Sequence, residues 1–488
     1  MGDTGAPRST HEHADKDGQF RRKDSVFRDW ISKDPSSKFP AEKGRYALYC
    51  NLGCPWAHRA ILVRALKNLE NIIQMIYTDF DLTENGWLFT GRNGSTDRDP
   101  LYGFAGLKQI YLKADPNYEG RYTVPTLWDK KTETIVNNES SEIIRMLYTE
   151  FDDLIEPMYR ESNKGSKGLI PEHLLSEIDA MNEWVYNTVN NGVYKCGFAT
   201  SQEAYDSSLY PLFESLDRLE AHLSNPVACH GGPFLFGSNI TEADLRLYTT
   251  IARFDTAYHT IFMCNLKSIR SDYPRIYRWF RRIYHNASNI PKGNVFKDTT
   301  HPDIYRYGYS NAKRRQTWGT DAQDKPVVVP RGPLTAYDPW TEDDQDIDNG
   351  RRIALKHMFE KNGTGTGAGS DTNGTATPTS NSTTTASDFA NMFINNTTTN
   401  AGAYSSKANG KLDLTSDMRS PRTATSSSPN MGSFVTKGEG IEEDGDIDPS
   451  RNLTKRSTTQ YEDQNAKWYK AAKKAEKKSG VPHVHLAC

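Results

Sequence analysis

Apolar positions fall into two regimes along the first three hundred residues. Tyr46-Ala47-Leu48-Tyr49 is a short continuous apolar run of strand length, and Ile61, Leu62, Ala65, Leu66 and Leu69 then recur at helical spacings of three and four. A second run at Ile72–Tyr77 follows, so the order is strand, helix, strand, which implies parallel pairing. Residues 78–122 form a long aromatic and glycine-rich connection, read as a functional insertion because it is too long for a simple loop. Arg121–Asp129 and Thr134–Val136 predict a hairpin turning at Asp129-Lys130-Lys131, with Pro125 opening its first strand. Asn138-Glu139-Ser140-Ser141-Glu142 leads into Ile143, Ile144, Met146 and Leu147, a helix start rich in caps and acids.

From about residue 165 to 290 the period is helical throughout. Leu174, Ile178, Met181, Val185 and Val189 make one stripe; Leu209, Leu212, Phe213, Leu216, Leu219 and Leu223 make another. Thr200–Glu203 predicts a capping box, Thr241–Asp244 predicts another, and Arg275–Tyr284 reads as the last helix. Residues 1–44 are a polar arm with apolar anchors at Phe20, Val26, Phe27, Trp30 and Ile31. The expected organisation is an arm (1–44), an α/β domain (45–160), a helical domain (161–335) and a tail (336–488).

The tail departs in composition. Residues 362–435 are dominated by Ser, Thr, Asn and Gly, which cannot bury enough apolar surface to offset ordering, so disorder is expected. Ser420-Pro421 and Ser428-Pro429 are weak phosphorylation candidates, the Asn-x-Ser/Thr triplets are expected by chance, and Ala466–Lys478 reads as a solvated basic helix.

Candidate chemistry gathers at Asn51-Leu52-Gly53-Cys54-Pro55-Trp56-Ala57-His58-Arg59, between the first strand and helix. Cys54 opens the helix and Pro55 takes the first helical position, where its missing N–H costs nothing. The first-turn N–H groups and the positive end of the helix dipole then face the sulfur, an arrangement expected to lower a thiol from about 8.5 towards neutrality. A buried structural cysteine is the competing reading. The six cysteines, at 50, 54, 196, 229, 264 and 488, are too sparse for a disulfide scaffold and lack the pairs of a zinc site, so no metal and a reducing, cytoplasmic setting are expected. A net charge of −2 gives no reason to expect nucleic-acid or acidic-membrane binding, and no apolar run approaches a membrane span.

Residues 45–64, Asn85–Phe89, Ala114-Asp115-Pro116 with Thr123-Val124-Pro125, Thr134–Met146 and Asn190–Tyr205 resemble the glutathionyl-hydroquinone reductases, the xi class of glutathione transferases. The resemblance covers about residues 15–310, and NLGCPWAHR, TIVNNESSEI and NNGVYKCGFATSQEAYD carry it. It implies a thioredoxin-like α/β domain followed by an all-α domain, with glutathione as co-substrate, aromatic glutathione conjugates as substrates, and a homodimer. Carried over by position, Cys54 is the catalytic thiol, and the bond before Pro125 is cis, leaving the Val124 main chain for the cysteinyl part of glutathione. Glu139 and Ser140 grip the γ-glutamyl end, Trp87 lies against the tripeptide, and Arg121 supplies a cationic contact. Tyr194 is the substrate-binding tyrosine, with an amphipathic core tyrosine as its bland alternative. The family's second tyrosine falls in His301–Ser310, where Tyr309 and Tyr307 are both candidates because the flanking histidines have shifted.

The reaction implied is removal of glutathione from a glutathionyl-hydroquinone through a Cys54–glutathione mixed disulfide. Two other readings share the fold. An omega-like thioltransferase or dehydroascorbate reductase would use the same cysteine, and a regulatory protein would need neither the cysteine nor the full motif set.

Overall fold

The computed structural model describes residues 14–83, 85–313, 325–333 and 337–344. The sheet layer is built from β1 (Tyr46–Cys50), α1 (Pro55–Leu66), β2 (Gln74–Tyr77), α2 (Leu107–Ala114), β3 (Thr126–Asp129), β4 (Thr134–Asn137) and α3 (Ser140–Thr149). The strand order is β2-β1-β3-β4, with β1 and β2 parallel and the other two pairs antiparallel. β1 is buried on both faces, which is why Tyr46–Cys50 reads as a continuous apolar run. The strand–helix–strand opening and the hairpin are as the pattern predicts.

One helix of this layer went unpredicted. Residues 78–122, expected to be a connection only, contain α2, whose Leu107, Ile110 and Tyr111 are buried. Its apolar face is short and flanked by Lys108, Gln109 and Lys113, so the helical period barely rises above its polar setting.

The second half runs through α4 (Leu175–Val185), α5 (Gly192–Gly197), α6 (Gln202–Ser224), α7 (Glu242–Arg253), single turns α8 (His259–Ile261) and α9 (Ile269–Asp272), α10 (Pro274–Tyr284), α11 (Asn294–Asp298) and α12 (Pro302–Ala312). Every residue of both predicted stripes is buried. Gly197 lies against Phe262, whose ring would stand 2.3 Å from a β-carbon, so α5 reaches this depth only with glycine there. α10 is not the last helix, because Pro302 starts α12 from its first position. At α6 the cap is Ser201, whose hydroxyl accepts the Ala204 N–H at 3.1 Å, without the reciprocal acid expected of Thr200–Glu203.

π-helical turns at Tyr186–Asn190 and Phe254–Tyr258 follow α4 and α7. Each shifts the helical register by one residue, a feature that gathers at functional sites. In the arm, Phe20 and Ile31 are buried anchors as expected. Val26 (64% exposed) and Trp30 (42%) instead face outward, and Phe39 takes the third buried position. Residues 337–344, which fall in the expected tail, lie against α10: the Arg281 Nε donates to the Asp338 carbonyl at 2.9 Å and its guanidinium pairs with Asp344 at 2.6 Å. The remaining tail features, including Ser420, Ser428 and Ala466–Lys478, lie outside the described residues. No described helix is long and apolar enough to cross a membrane.

The start of α7 follows the predicted box. The buried Asp244 carboxylate accepts from the Thr241 N–H (2.9 Å) and hydroxyl (3.1 Å), the Leu235 N–H (3.0 Å) and the Trp279 indole N–H (2.8 Å). Removing this carboxylate strands several buried donors at once, at about 1–3 kcal/mol each when unpaired. Asp244→Ala is therefore expected to lower unfolding stability by about 3 kcal/mol, read from the denaturant midpoint, while Asp244→Asn keeps part of the loss back.

Candidate active site

β1 ends at Cys50 and α1 begins at Pro55, and the turn between them is fixed by a buried asparagine. Asn51 Nδ2 donates to the Asp79 carbonyl (2.7 Å) and the Thr78 hydroxyl (3.3 Å), while its Oδ1 accepts the Gly53 N–H at 2.8 Å. Cys54 is then the N-cap of α1: its Sγ accepts the Ala57 N–H at 3.5 Å. The same sulfur lies 3.5 Å from the Val124 carbonyl oxygen, to which the thiol donates. The Val124–Pro125 bond is cis. Its loop is braced by the Thr126 hydroxyl and the Tyr111 phenol, which donate to the Thr123 carbonyl at 2.6 and 2.8 Å.

The helix start is as expected, but the thiol is not lowered. Burial pushes Cys54 above its ordinary value, and the Ala57 N–H, the Arg253 guanidinium, the Trp56 N–H and Arg22, in that order, pull it back without overcoming the desolvation. The reason is tertiary: a helix start alone offers hydrogen bonds, whereas here packing around the half-buried sulfur costs its thiolate part of the hydration it would have in water.

The other expected residues divide by element. Glu139 is the N-cap of α3. Its carboxylate accepts from the Ser141 N–H (3.1 Å) and hydroxyl (3.0 Å), and from the Ser25 hydroxyl of the arm at 3.1 Å. Ser140, the first residue of that helix, is buried. Trp87 is half-buried on the long connection and packs against the core, and Arg121 is exposed just before the cis bond.

Tyr194 of α5 and Tyr309 of α12 meet, with hydroxyl oxygens 2.6 Å apart. Tyr307 packs its ring edge-on to Phe80 instead, at 5.9 Å between centroids. A third phenol joins the pair: Tyr258, in the π turn after α7, lies 2.9 Å from the Tyr309 oxygen and 3.5 Å from that of Tyr194. Burial raises all three phenols, so each stays protonated and able to donate. Phe20, Phe198 and Phe262 pack around Tyr194, with centroids at 6.5, 6.2 and 5.5 Å.

Sequence reasoning missed Tyr258, Arg22 and Arg253. Arg22 comes from the arm, donates to Asn191 Oδ1 at 3.2 Å and lies over the Trp56 and Tyr194 rings at 4.8 and 5.2 Å. Nothing local marks it, since the arm is polar throughout. Tyr258 sits in a register that a plain 3.6 period does not reproduce. Arg253 has one sequence signal, a cation at the end of an apolar helical stretch, but that is common at helix C-termini.

Among the described residues, no three His, Cys, Asp or Glu side chains gather in a way that could hold a metal ion. The chemistry available is a capped thiol beside a main-chain carbonyl, near the neutral Tyr194 phenol and the aromatic cluster that it joins.

Comparison with known proteins agrees with this geometry. The pattern of the glutathione S-transferase N-terminal domain matches residues 53–150, and that of the C-terminal domain matches residues 202–282. A glutathione S-transferase omega-like 2 of Schizosaccharomyces pombe is 49% identical over 279 residues, covering 57% of this chain and 86% of the relative. The glutathionyl-hydroquinone reductase YqjG of Escherichia coli is 47% identical over 275 residues, covering 55% of this chain and 79% of its own. The glutathione-bound structure of YqjG superposes with a TM-score of 0.55, covering 65% of this chain and 96% of that one at 42% identity. The xi glutathione transferase of Phanerochaete chrysosporium gives 0.59 at 43% identity, over 67% and 97% of the two chains. With a capped cysteine, a cis-proline loop and a helical half all in place, the chain belongs to the glutathione S-transferase family, in its xi class, that of the glutathionyl-hydroquinone reductases.

Proposed function

We propose that the protein reduces glutathionyl-hydroquinones to free hydroquinones at the expense of glutathione. The observation that carries this reading is the Cys54 sulfur on the helix start, within reach of the Val124 carbonyl and close enough to act on Tyr194, whose phenol meets those of Tyr258 and Tyr309. The glutathione moiety of the substrate pairs through its cysteinyl main chain with Val124 beside Pro125. Its γ-glutamyl end meets Glu139 and Ser140 at the start of α3, where a helix N-terminus suits a carboxylate. Trp87 covers the tripeptide and Arg121 lends a positive charge.

In the first step the Cys54 thiolate attacks the thioether sulfur and forms a disulfide with glutathione. The aryl carbon–sulfur bond breaks, and its electron pair stays on the ring carbon, which takes a proton. Phenols that hydrogen-bond the ring oxygens favour a keto form in which that carbon leaves more readily. In the second step another glutathione thiolate attacks the mixed disulfide, giving oxidised glutathione and restoring Cys54. Two electrons pass from two glutathione sulfurs to the aryl carbon. Ala57 stands where a dithiol enzyme would hold a second cysteine, and Cys50 is buried in β1, so one thiol per site does the work. The phenol cluster favours an aryl conjugate over dehydroascorbate, whose polar lactone offers no aromatic ring for Phe20, Phe198 and Phe262 to hold. All the described cysteines are free, which supports a reducing, cytoplasmic setting, and the family resemblance supports a homodimer.

The decisive assay follows free hydroquinone and oxidised glutathione from the glutathione conjugate of menadiol. Wild type is expected to turn over, Cys54→Ser to lose at least about a thousandfold in kcat, and Cys50→Ser to keep its rate. A folded wild type that binds glutathione but leaves the conjugate intact would overturn the reading, and dehydroascorbate would be tried next. The tyrosines are tested separately: Tyr309→Phe is expected to lower kcat/KM about 10- to 100-fold, whereas Tyr307→Phe leaves it within about twofold. The reverse order would move the second substrate tyrosine to Tyr307.

A further inference from the structure

Arg253, the last residue of α7, is fully buried, and no carboxylate pairs with it among the described residues. Its Nε donates to the Gly53 carbonyl at 3.0 Å, and Nη2 reaches the Leu52 carbonyl at 3.4 Å. Nη1 donates to the Thr249 carbonyl of its own helix at 2.7 Å and to His58 Nδ1 at 3.1 Å. The guanidinium also lies 3.8 Å from the Tyr305 ring centroid.

A guanidinium has no acceptor, so the imidazole must accept at Nδ1 and carry its proton on Nε2. Nε2 then donates to the Thr299 hydroxyl at 2.8 Å, which donates onward to the Val295 carbonyl at 2.6 Å. Burial and Arg253 hold His58 well below its ordinary value, so this ring is neutral and does not offset the buried charge. A full positive charge out of water is costly unless paired. Here its partners among the described residues are carbonyl dipoles, an imidazole lone pair and a ring face, and it stands behind the turn that presents Cys54.

We propose that Arg253 is the positioning residue of this site: it grips the two carbonyls preceding Cys54, and its unpaired charge finds its counter-ion in the thiolate. Among the described residues, the charged and titratable groups that act on the sulfur include Arg253, Arg22, Tyr194 and Cys50. Among these the cations are the two arginines, of which Arg22 is partly open to solvent, where screening weakens it. The same guanidinium raises nothing against Tyr309 or Tyr258; it favours their ionised forms, so negative charge developing on a ring oxygen near those phenols feels it too. The proposal rests on Cys54 as the reacting thiol.

The test separates charge from grip. Alkylation of Cys54 by iodoacetamide at pH 8 is followed by mass spectrometry of its peptide, alongside kcat and KM. Because burial raises the thiol, the wild-type alkylation rate is expected to keep climbing with pH beyond about 8.5. Arg253→Gln is expected to slow alkylation at pH 8 about tenfold by moving the thiol up about one pH unit. Arg253→Lys restores alkylation to within about threefold yet leaves kcat at least about tenfold down with KM nearly unchanged, because an ammonium keeps the charge without the two-carbonyl fork. A folded Arg253→Gln protein alkylated at the wild-type rate overturns the proposal. Should that variant fail to fold, Arg253→Lys decides alone, and a wild-type kcat in it would overturn the proposal equally. Slowed alkylation in Arg253→Gln from an enzyme inactive on aryl conjugates would support Arg253 while sinking the reductase reading.

Discussion

A sulfur at the start of a helix is placed by hydrogen bonds, but whether it ionises depends on how much water remains beside it. In this chain the turn Asn51–Cys54 is held on three sides. Asn51 closes it from within, the cis Val124–Pro125 loop faces it across the cleft, and Arg253 reaches it from the helical half. The same closure desolvates the thiol, so position is gained against ionisation, and the buried cation is what limits that conflict.

The sheet layer was legible because its signals are local. Pro55 at a first helical position, the cap at Glu139 and the continuous apolar run of β1 each depend on residues close in sequence, as does the Thr241–Asp244 box in the helical half. α2 escaped because its buried face is only Leu107, Ile110 and Tyr111 within a polar, glycine-flanked stretch. α12 escaped because its buried residues, Tyr305, Ser310 and Asn311, are mostly polar and show no apolar stripe.

The candidate site was legible only in the parts that a motif spells out. Cys54 and the Val124–Pro125 loop stand in such motifs. The phenol cluster joins positions 194, 258 and 309 from separate elements, and only packing brings them together. Motif resemblance supplied Tyr194 and left Tyr307 and Tyr309 open, while the π turn that aims Tyr258 has no sequence period to announce it. The ionisation of Cys54 was misjudged for a related reason. The helix start is a property of nine residues, but desolvation is a property of the whole cleft, including an arm residue, Arg22, some thirty positions upstream.

In the proposed reaction glutathione passes from the aryl ring onto Cys54. This transfer is tested most directly by a single turnover: enzyme in molar excess over a glutathionyl-hydroquinone, with no free glutathione, quenched in acid and analysed by intact and peptide mass spectrometry. One glutathione in disulfide linkage on the Cys54 peptide is expected for each hydroquinone released, removable by added glutathione. Hydroquinone released while Cys54 stays unmodified, or an aryl group attached to that cysteine, would contradict it.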